Sequence, residues 1–146
     1  MSSAAEYLPS PQKWVRDQVE KIERSGGTKG TSTAGRRVVL LTMVGAKSGK
    51  IRKVPLMRVE HDGLYLAVGS DGGAAKDPLW VANLEANPKI TLQDGAEVSE
   101  RVARRLSGDE RAEWWERAVE AFPYYGGYQR KTKREIPVFL LEPVGG

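Results

Sequence analysis

Apolar positions along this chain follow two periods, and the places where the period changes mark its elements. Val15, Val19 and Ile22 recur at helical spacing behind Ser10-Pro11, a serine suited to cap a helix and a proline suited to its first turn. The spacing predicts an amphipathic first helix. Ser25 to Gly35 is rich in Gly, Ser and Thr without periodicity and reads as a flexible connector, so the core is expected to begin at Arg36. Strand patterns then run from Val38 to Val44, Ile51 to Glu60 and Leu64 to Ser70, joined by a basic turn and by Asp62-Gly63. They predict a three-stranded antiparallel meander.

A helix is expected next, started by Asp77-Pro78, carrying Leu79, Trp80, Asn83 and Leu84, and ended by Asn87-Pro88. Strands Lys89 to Gln93 and Ala96 to Leu106 flank Asp94-Gly95. Ser107-Gly108-Asp109-Glu110 reads as a capping box, with Trp115, Ala118, Val119 and Phe122 on one face of a helix that stops at Pro123. Pro137 to Leu141 is a last, fully apolar strand. The expected fold is mainly β (α+β): a six-stranded antiparallel barrel, closed or nearly so, with two short inserted helices and the N-terminal amphipathic helix. Residues 1–35 would form the helix and connector, and residues 36–146 the barrel.

Composition narrows the chemistry. The 146 residues are 40% apolar and 29% charged, enough for one domain with a real core. With no cysteine there is no disulfide, thiolate nucleophile or iron–sulfur site. The one histidine, His61, sits at a hairpin tip without partners for a metal site or a catalytic triad. A net charge of +4 permits an acidic small molecule, an anionic membrane surface or nucleic acid as a partner. No apolar run is long enough to span a membrane, and the first six residues lack the basic and apolar regions of a signal peptide, so a cytoplasmic protein is expected.

The segment Gly45-Ala46-Lys47-Ser48-Gly49-Lys50-Ile51-Arg52-Lys53 puts four cations around a glycine turn, the chemistry of an anion cradle. It is not a P-loop, because three residues rather than four separate its glycines and Ile51 follows Lys50. A solvated hairpin tip is the plain alternative. Ser70-Asp71-Gly72-Gly73 leads into the helix at Pro78, where backbone amides could hold the carbonyls of a planar ring and Trp80 could wall it. Phe122-Pro123-Tyr124-Tyr125-Gly126-Gly127-Tyr128 reads as an aromatic loop able to close over a flat ligand.

The order of these pieces resembles the deazaflavin (F420)-dependent nitroreductase family over about Val38 to Pro143. The resemblance rests on Gly45-Ala46-Lys47-Ser48-Gly49-Lys50 with Arg52 and Pro55-Leu56, on Ser70-x-Gly72-Gly73 followed by Pro78-x-Trp80-x-x-Asn83-Leu84-x-Ala86-x-Pro88, and on Pro123-x-Tyr125-x-x-Tyr128-Gln129 with Arg134-x-Ile136-Pro137. It implies a flavin-type split β-barrel that binds coenzyme F420 and passes a hydride from the reduced deazaflavin to a nitroaromatic, quinone or enone acceptor.

By motif position, Lys47, Ser48, Arg52 and Lys53, beside Ala46, are expected to hold the phosphate and acidic tail. Val54, Pro55, Leu56, Met57, Val68, Gly69, Ser70, Asp71, Leu79, Trp80, Val81, Ala82 and Asn83 would line the deazaflavin. Tyr125 would border cofactor and substrate, with Phe122 and Tyr128 on the substrate side, and Ser70, Tyr125 and Tyr128 are the candidate catalytic donors. Phe122 replaces a tyrosine of some relatives, and Asp71 stands where the loop can be basic. An FMN-dependent enzyme on the same barrel is one alternative. A nucleic-acid module, with Arg130, Lys131, Lys133 and Arg134 extending the basic face, is another. The expected partner is a small-molecule acceptor rather than nucleic acid, for a monomer or homodimer whose first helix could touch the inner face of the membrane.

Overall fold

A computed structural model describes residues 6–33 and 35–144; Met1–Ala5, part of the stretch read for a signal peptide, lies outside the described residues. Helix α1 spans Lys13–Arg24, β1 Ser32–Thr33, β2 Arg36–Val44, β3 Ile51–Met57, β4 Glu60–His61 and β5 Leu64–Val68. After a 3₁₀ turn at Asp71–Gly73 come α2 (Leu79–Ala86), β6 (Lys89–Asp94), β7 (Glu97–Arg105), α3 (Gly108–Ala121), α4 (Tyr124–Lys131) and β8 (Val138–Pro143). The strands form one antiparallel sheet in the order β1-β2-β6-β7-β8-β5-β4, with β3 on the other side of β2.

The curled sheet is nearly closed by one bent segment. Residues 51–57 pair with β2, and Arg58 N–H still reaches the Arg37 carbonyl, but the Val59 carbonyl accepts from Leu66 and residues 60–61 pair with β5. The Asp62-Gly63 turn forms as expected, both residues at positive φ (52° and 80°), which suits a tight hairpin. The expected meander forms only in part: β2 pairs with β3 and β4 with β5, but β3 and β5 do not pair along their length. β5 pairs with the apolar β8 along its other edge from Tyr65 to Val68, and past Val59 the chain bends away from β2, so β3 keeps an open edge. Pro55 fits there, because an edge strand needs no N–H from it.

Eight strands therefore stand, among the described residues, where six were expected; the additions are the two-residue β1 and β4. Among the same described residues, four α-helices stand where three were expected, because the aromatic segment after Pro123 is helix α4 rather than a loop.

Inside the barrel, Val39, Leu41, Met43, Ala67, Leu92, Phe139 and Leu141 pack under α2, which plugs one end with Trp80, Val81 and Leu84. Outside, α3 and α4 cover the other face of β5 and β8 through Trp114, Ala118, Phe122 and Tyr125. The expected face of α3 is rotated: Trp114 is buried and Trp115 only half-buried. Its capping box is not made either, since the Ser107 side chain forms no cap hydrogen bond and Glu110 instead chelates Arg104 at 2.8 and 2.9 Å. Helix α1 starts at Lys13 rather than Pro11, and Val15, Val19 and Ile22 bury against Val38 and Leu40 of β2. The apolar face that could have lain on a bilayer is thus spent on the barrel, and Trp14 stays exposed beside it. No described helix is long and apolar enough to cross a membrane.

Candidate functional site

Side chains alternate along β3, so its register on β2 assigns each expected site residue to a face. Arg52, Val54 and Leu56 pair with Met43, Leu41 and Val39 and point to the barrel interior. Lys53, Pro55 and Met57 pair with Thr42, Leu40 and Val38 and point outward, toward α1 and α4. Residues adjacent in sequence are thereby separated. Their backbones divide the other way: Ile51 gives its N–H and C=O to Glu6 and Leu8 on the open edge, so alternation turns the Lys53 and Met57 amides and the Lys53 and Pro55 carbonyls to that same edge. These groups are free to meet a planar ligand.

At one end of this edge lies the cationic turn. The Gly45 amide bonds to the Lys50 carbonyl at 2.8 Å, the Gly49 amide to the Gly45 carbonyl at 3.0 Å, and Gly49 takes φ 68°, a conformation glycine adopts without strain. Asn83 of α2 accepts the Ala46 amide at 2.9 Å, and Asn87 donates to the Val44 carbonyl at 3.3 Å. The turn is therefore pinned to α2. The amides of Lys47 and Ser48 have no partner among the described residues, nor do the Lys47 and Arg52 side chains have an acidic one. Lys50 pairs with Glu6 at 3.3 Å, and Lys53 pairs with Glu23 of α1 under the Tyr7 ring. Of the four cations, two are left to a ligand.

At the other end, about 20 Å along the strand, Met57, Val68, Phe122, Tyr125 and Tyr128 share one apolar cluster. The Phe122 ring lies 4.9 Å from Tyr125 and 6.2 Å from Tyr128. Tyr125 is buried, and burial, reinforced by neighbouring Tyr128, raises its pKa, so its hydroxyl keeps its proton. Ser70 is the buried polar residue of the described core, and its hydroxyl has no hydrogen-bond partner there. Of the α2 residues expected to line a ring, Trp80 and Val81 are buried in the barrel plug, and Leu79 and Ala82 are exposed.

Arg134 was legible only as part of a motif and of a basic cluster. Its guanidinium lies over the glycine loop, donating to the carbonyls of Gly69 (3.1 Å), Ser70 (2.8 Å) and Ala74 (2.9 Å) and to the Asp77 carboxylate (2.7 Å). Lys131 reaches the Gly72 carbonyl at 3.4 Å. These two cations serve the loop rather than an open basic face. The signal missed in sequence was long-range, since 60 or more residues separate Arg134 from Ala74 and the loop's earlier carbonyls. Two surface cavities, of about 280 and 600 Å³, lie elsewhere, around Tyr65 and Arg101 and along the polar side of α1.

Comparison with known proteins places this geometry among relatives. A family model described as F420H(2)-dependent quinone reductase matches residues 14–143. The F420H(2)-dependent quinone reductase Rv1261c of Mycobacterium tuberculosis is 32% identical over 106 residues, covering 70% of this chain and 71% of its own length. Rv3178 of the same organism, provisionally named for the same activity, is 36% identical over 105 residues, 72% of this chain and 88% of its own length. A solved structure described as an F420-H2 dependent reductase (FDR-A) is 56% identical, covers 72% of this chain and 93% of its own, and has a TM-score of 0.69. Another, described as a domain-swapped dimer, is 53% identical over 91% of this chain and 100% of its own, with a TM-score of 0.72. A pyridoxamine 5'-phosphate oxidase-like protein of Listeria innocua shares the fold alone, at 13% identity, 73% and 83% coverage and a TM-score of 0.50.

Proposed function

The chain belongs to the F420H(2)-dependent quinone reductase family, and from that premise we propose that it reduces an electron-poor, quinone-type acceptor beside the open edge of β3, on the side of α4. When bound, F420H(2) supplies the hydride. The observation that carries the reading is the cationic turn, whose free Lys47 and Ser48 amides and unpaired Lys47 and Arg52 side chains stand at one end of an open strand edge. That arrangement fits an extended ligand with anionic groups at one end and a flat ring at the other. The phosphate and acidic tail fall to Lys47, Ser48 and Arg52, and the ring's carbonyl and N–H groups to the backbone of 53–57 and of the Ser70–Gly72 loop. Lys53 reaches the ligand only by releasing Glu23.

The acceptor lies against Phe122 and Tyr128, with the apolar cluster around Met57 and Tyr125 excluding water from that end. Tyr128 and Ser70 are the hydroxyls available to orient an acceptor oxygen and steady negative charge growing on it. Nitroaromatic and enone acceptors suit the same chemistry. The open edge of β3 also leaves room for pairing with a second copy of the chain, which light scattering would reveal.

Fluorescence titration of the purified protein with F420 and with FMN tests the cofactor assignment. F420 is expected to bind more tightly, and its binding to weaken with salt because the cradle holds more than one anionic group. Equal or tighter FMN binding would reverse the assignment.

A further inference from the structure

The glycine loop after β5 carries a backbone arrangement that Arg134 holds in place. Ser70 is right-handed helical (φ −75°, ψ −39°), followed by Asp71 at φ 44° and Gly72 at φ 64°, ψ 18°. A right-handed residue followed by left-handed ones makes successive amides converge, the geometry of an anion-binding nest. The amides of Ser70, Asp71 and Gly72 indeed have no partner among the described residues, although those of Gly69, Gly73 and Ala74 are all bonded. A residue with a Cβ enters this region less readily than glycine, although aspartate does so more often than most side chains.

Arg134 holds this arrangement from the other side of the loop. Within a trans peptide the C=O and N–H point in opposite directions. By drawing the Gly69 and Ser70 carbonyls onto its guanidinium, Arg134 turns the Ser70 and Asp71 amides away from itself. The bond to Ala74 and the ion pair to Asp77 anchor the far side of the same loop. Gln129 of α4 in turn accepts from the Ile136 amide at 3.0 Å and donates to the Arg134 carbonyl at 2.8 Å, fixing the chain on either side of the arginine. Arg134 is itself largely withdrawn from solvent, its side chain 15% exposed, and so is not a direct ligand for a bound anion.

Resting on the cofactor reading above, we propose that Arg134 is a positioning residue that sets the Ser70–Asp71–Gly72 amides as a three-donor nest for the electron-rich carbonyl edge of the deazaflavin ring, and not for its phosphate. Lysine cannot replace it, because a point charge lacks the planar fork that reaches three carbonyls and a carboxylate at once.

The test measures dissociation constants, by fluorescence, for F420 and for the deazaflavin–ribityl fragment that lacks phosphate and tail. Wild type, Arg134→Gln, Arg134→Lys and Lys47→Ala are compared at a temperature where circular dichroism shows each folded. Both Arg134 variants are expected to lose about tenfold or more in affinity for the fragment and for F420 alike, whereas Lys47→Ala weakens F420 and leaves the fragment unchanged. Should Arg134→Gln fail to fold, the charge-retaining Arg134→Lys carries the test. Fragment affinity within about twofold of wild type in a folded Arg134 variant, with only the melting temperature lowered, would show a purely structural arginine and overturn the proposal. Absence of F420 binding by wild type would instead overturn the cofactor reading and this assignment with it.

Discussion

Four cations in the turn and the strand after it look equivalent in the sequence, and the fold gives each a different neighbour. Lys50 and Lys53 face Glu6 and Glu23, while Lys47 and Arg52 have no acidic partner. Lys47→Ala and Arg52→Ala should therefore weaken F420 binding about ten- to a hundredfold, the loss of one charge-assisted contact worth about 1.5–3 kcal/mol. Melting temperatures should stay near wild type, since neither side chain has a salt bridge to lose. Titrations matching wild type in both variants would return the turn to an ordinary solvated hairpin.

Helix α4 shows how composition can point to one kind of element while the fold makes another. The Tyr-Tyr-Gly-Gly-Tyr run after Pro123 has the composition of a loop, yet it is helical over Tyr124–Lys131. Burial of Tyr125 against Phe122 and Trp115, and docking of the glycine loop on the helix, outweigh the low propensity of the two glycines. Gly73 is the contact point. A Cβ there would meet the Tyr128 carbonyl at 2.8 Å, and its φ of 82° favours glycine in any case. The helix holds Tyr125 in the core and Tyr128 at its margin. Tyr128→Phe is accordingly expected to lower turnover by roughly 10²-fold or less while cofactor affinity holds, and Tyr125→Phe to change both little. Steady-state kinetics with several quinone and nitro acceptors check this, and unchanged kinetics for Tyr128→Phe would remove that hydroxyl from the mechanism.

Barrel closure depends on one carboxylate at the scale of the whole molecule. Asp94, at the end of β6, accepts from Tyr65 (2.6 Å), Arg58 (2.9 Å) and Arg37 (2.7 Å), so residues of β2, the bend after β3, and β5 meet on it. Burial by itself would raise its pKa, but the hydrogen bonds from Tyr65 and Arg58 and the charges of Arg58 and Arg37 outweigh that and leave it below the usual value. Because the folded pKa is depressed, this stabilisation is present above the unfolded value near pH 3.9 and is lost as pH falls through the lower, folded value. Asp94→Asn should cost about 1.5–3 kcal/mol at pH 7 and flatten the acid limb of the stability curve, as measured by urea unfolding from pH 7 to 3. An acid limb equal to that of wild type would place the titrating group elsewhere.

The sequence by itself determined the local periods and turn chemistry: the α1 face at Val15, Val19 and Ile22, the Asp62-Gly63 hairpin, the helix after Pro78, and the cationic turn with its glycine. Each depends on residues a few positions apart, where side-chain period and backbone preference act directly. Tertiary structure decided what depends on distant partners. It bent the chain between β3 and β4 so that β3 keeps an open edge, paired the far edge of β5 with β8, and divided Arg52 from Lys53 by strand parity. It wound the aromatic segment into α4 and laid Arg134 over a loop some sixty residues earlier. Those outcomes turn on which buried surfaces and backbone groups find one another in space, and no short window of residues contains that information.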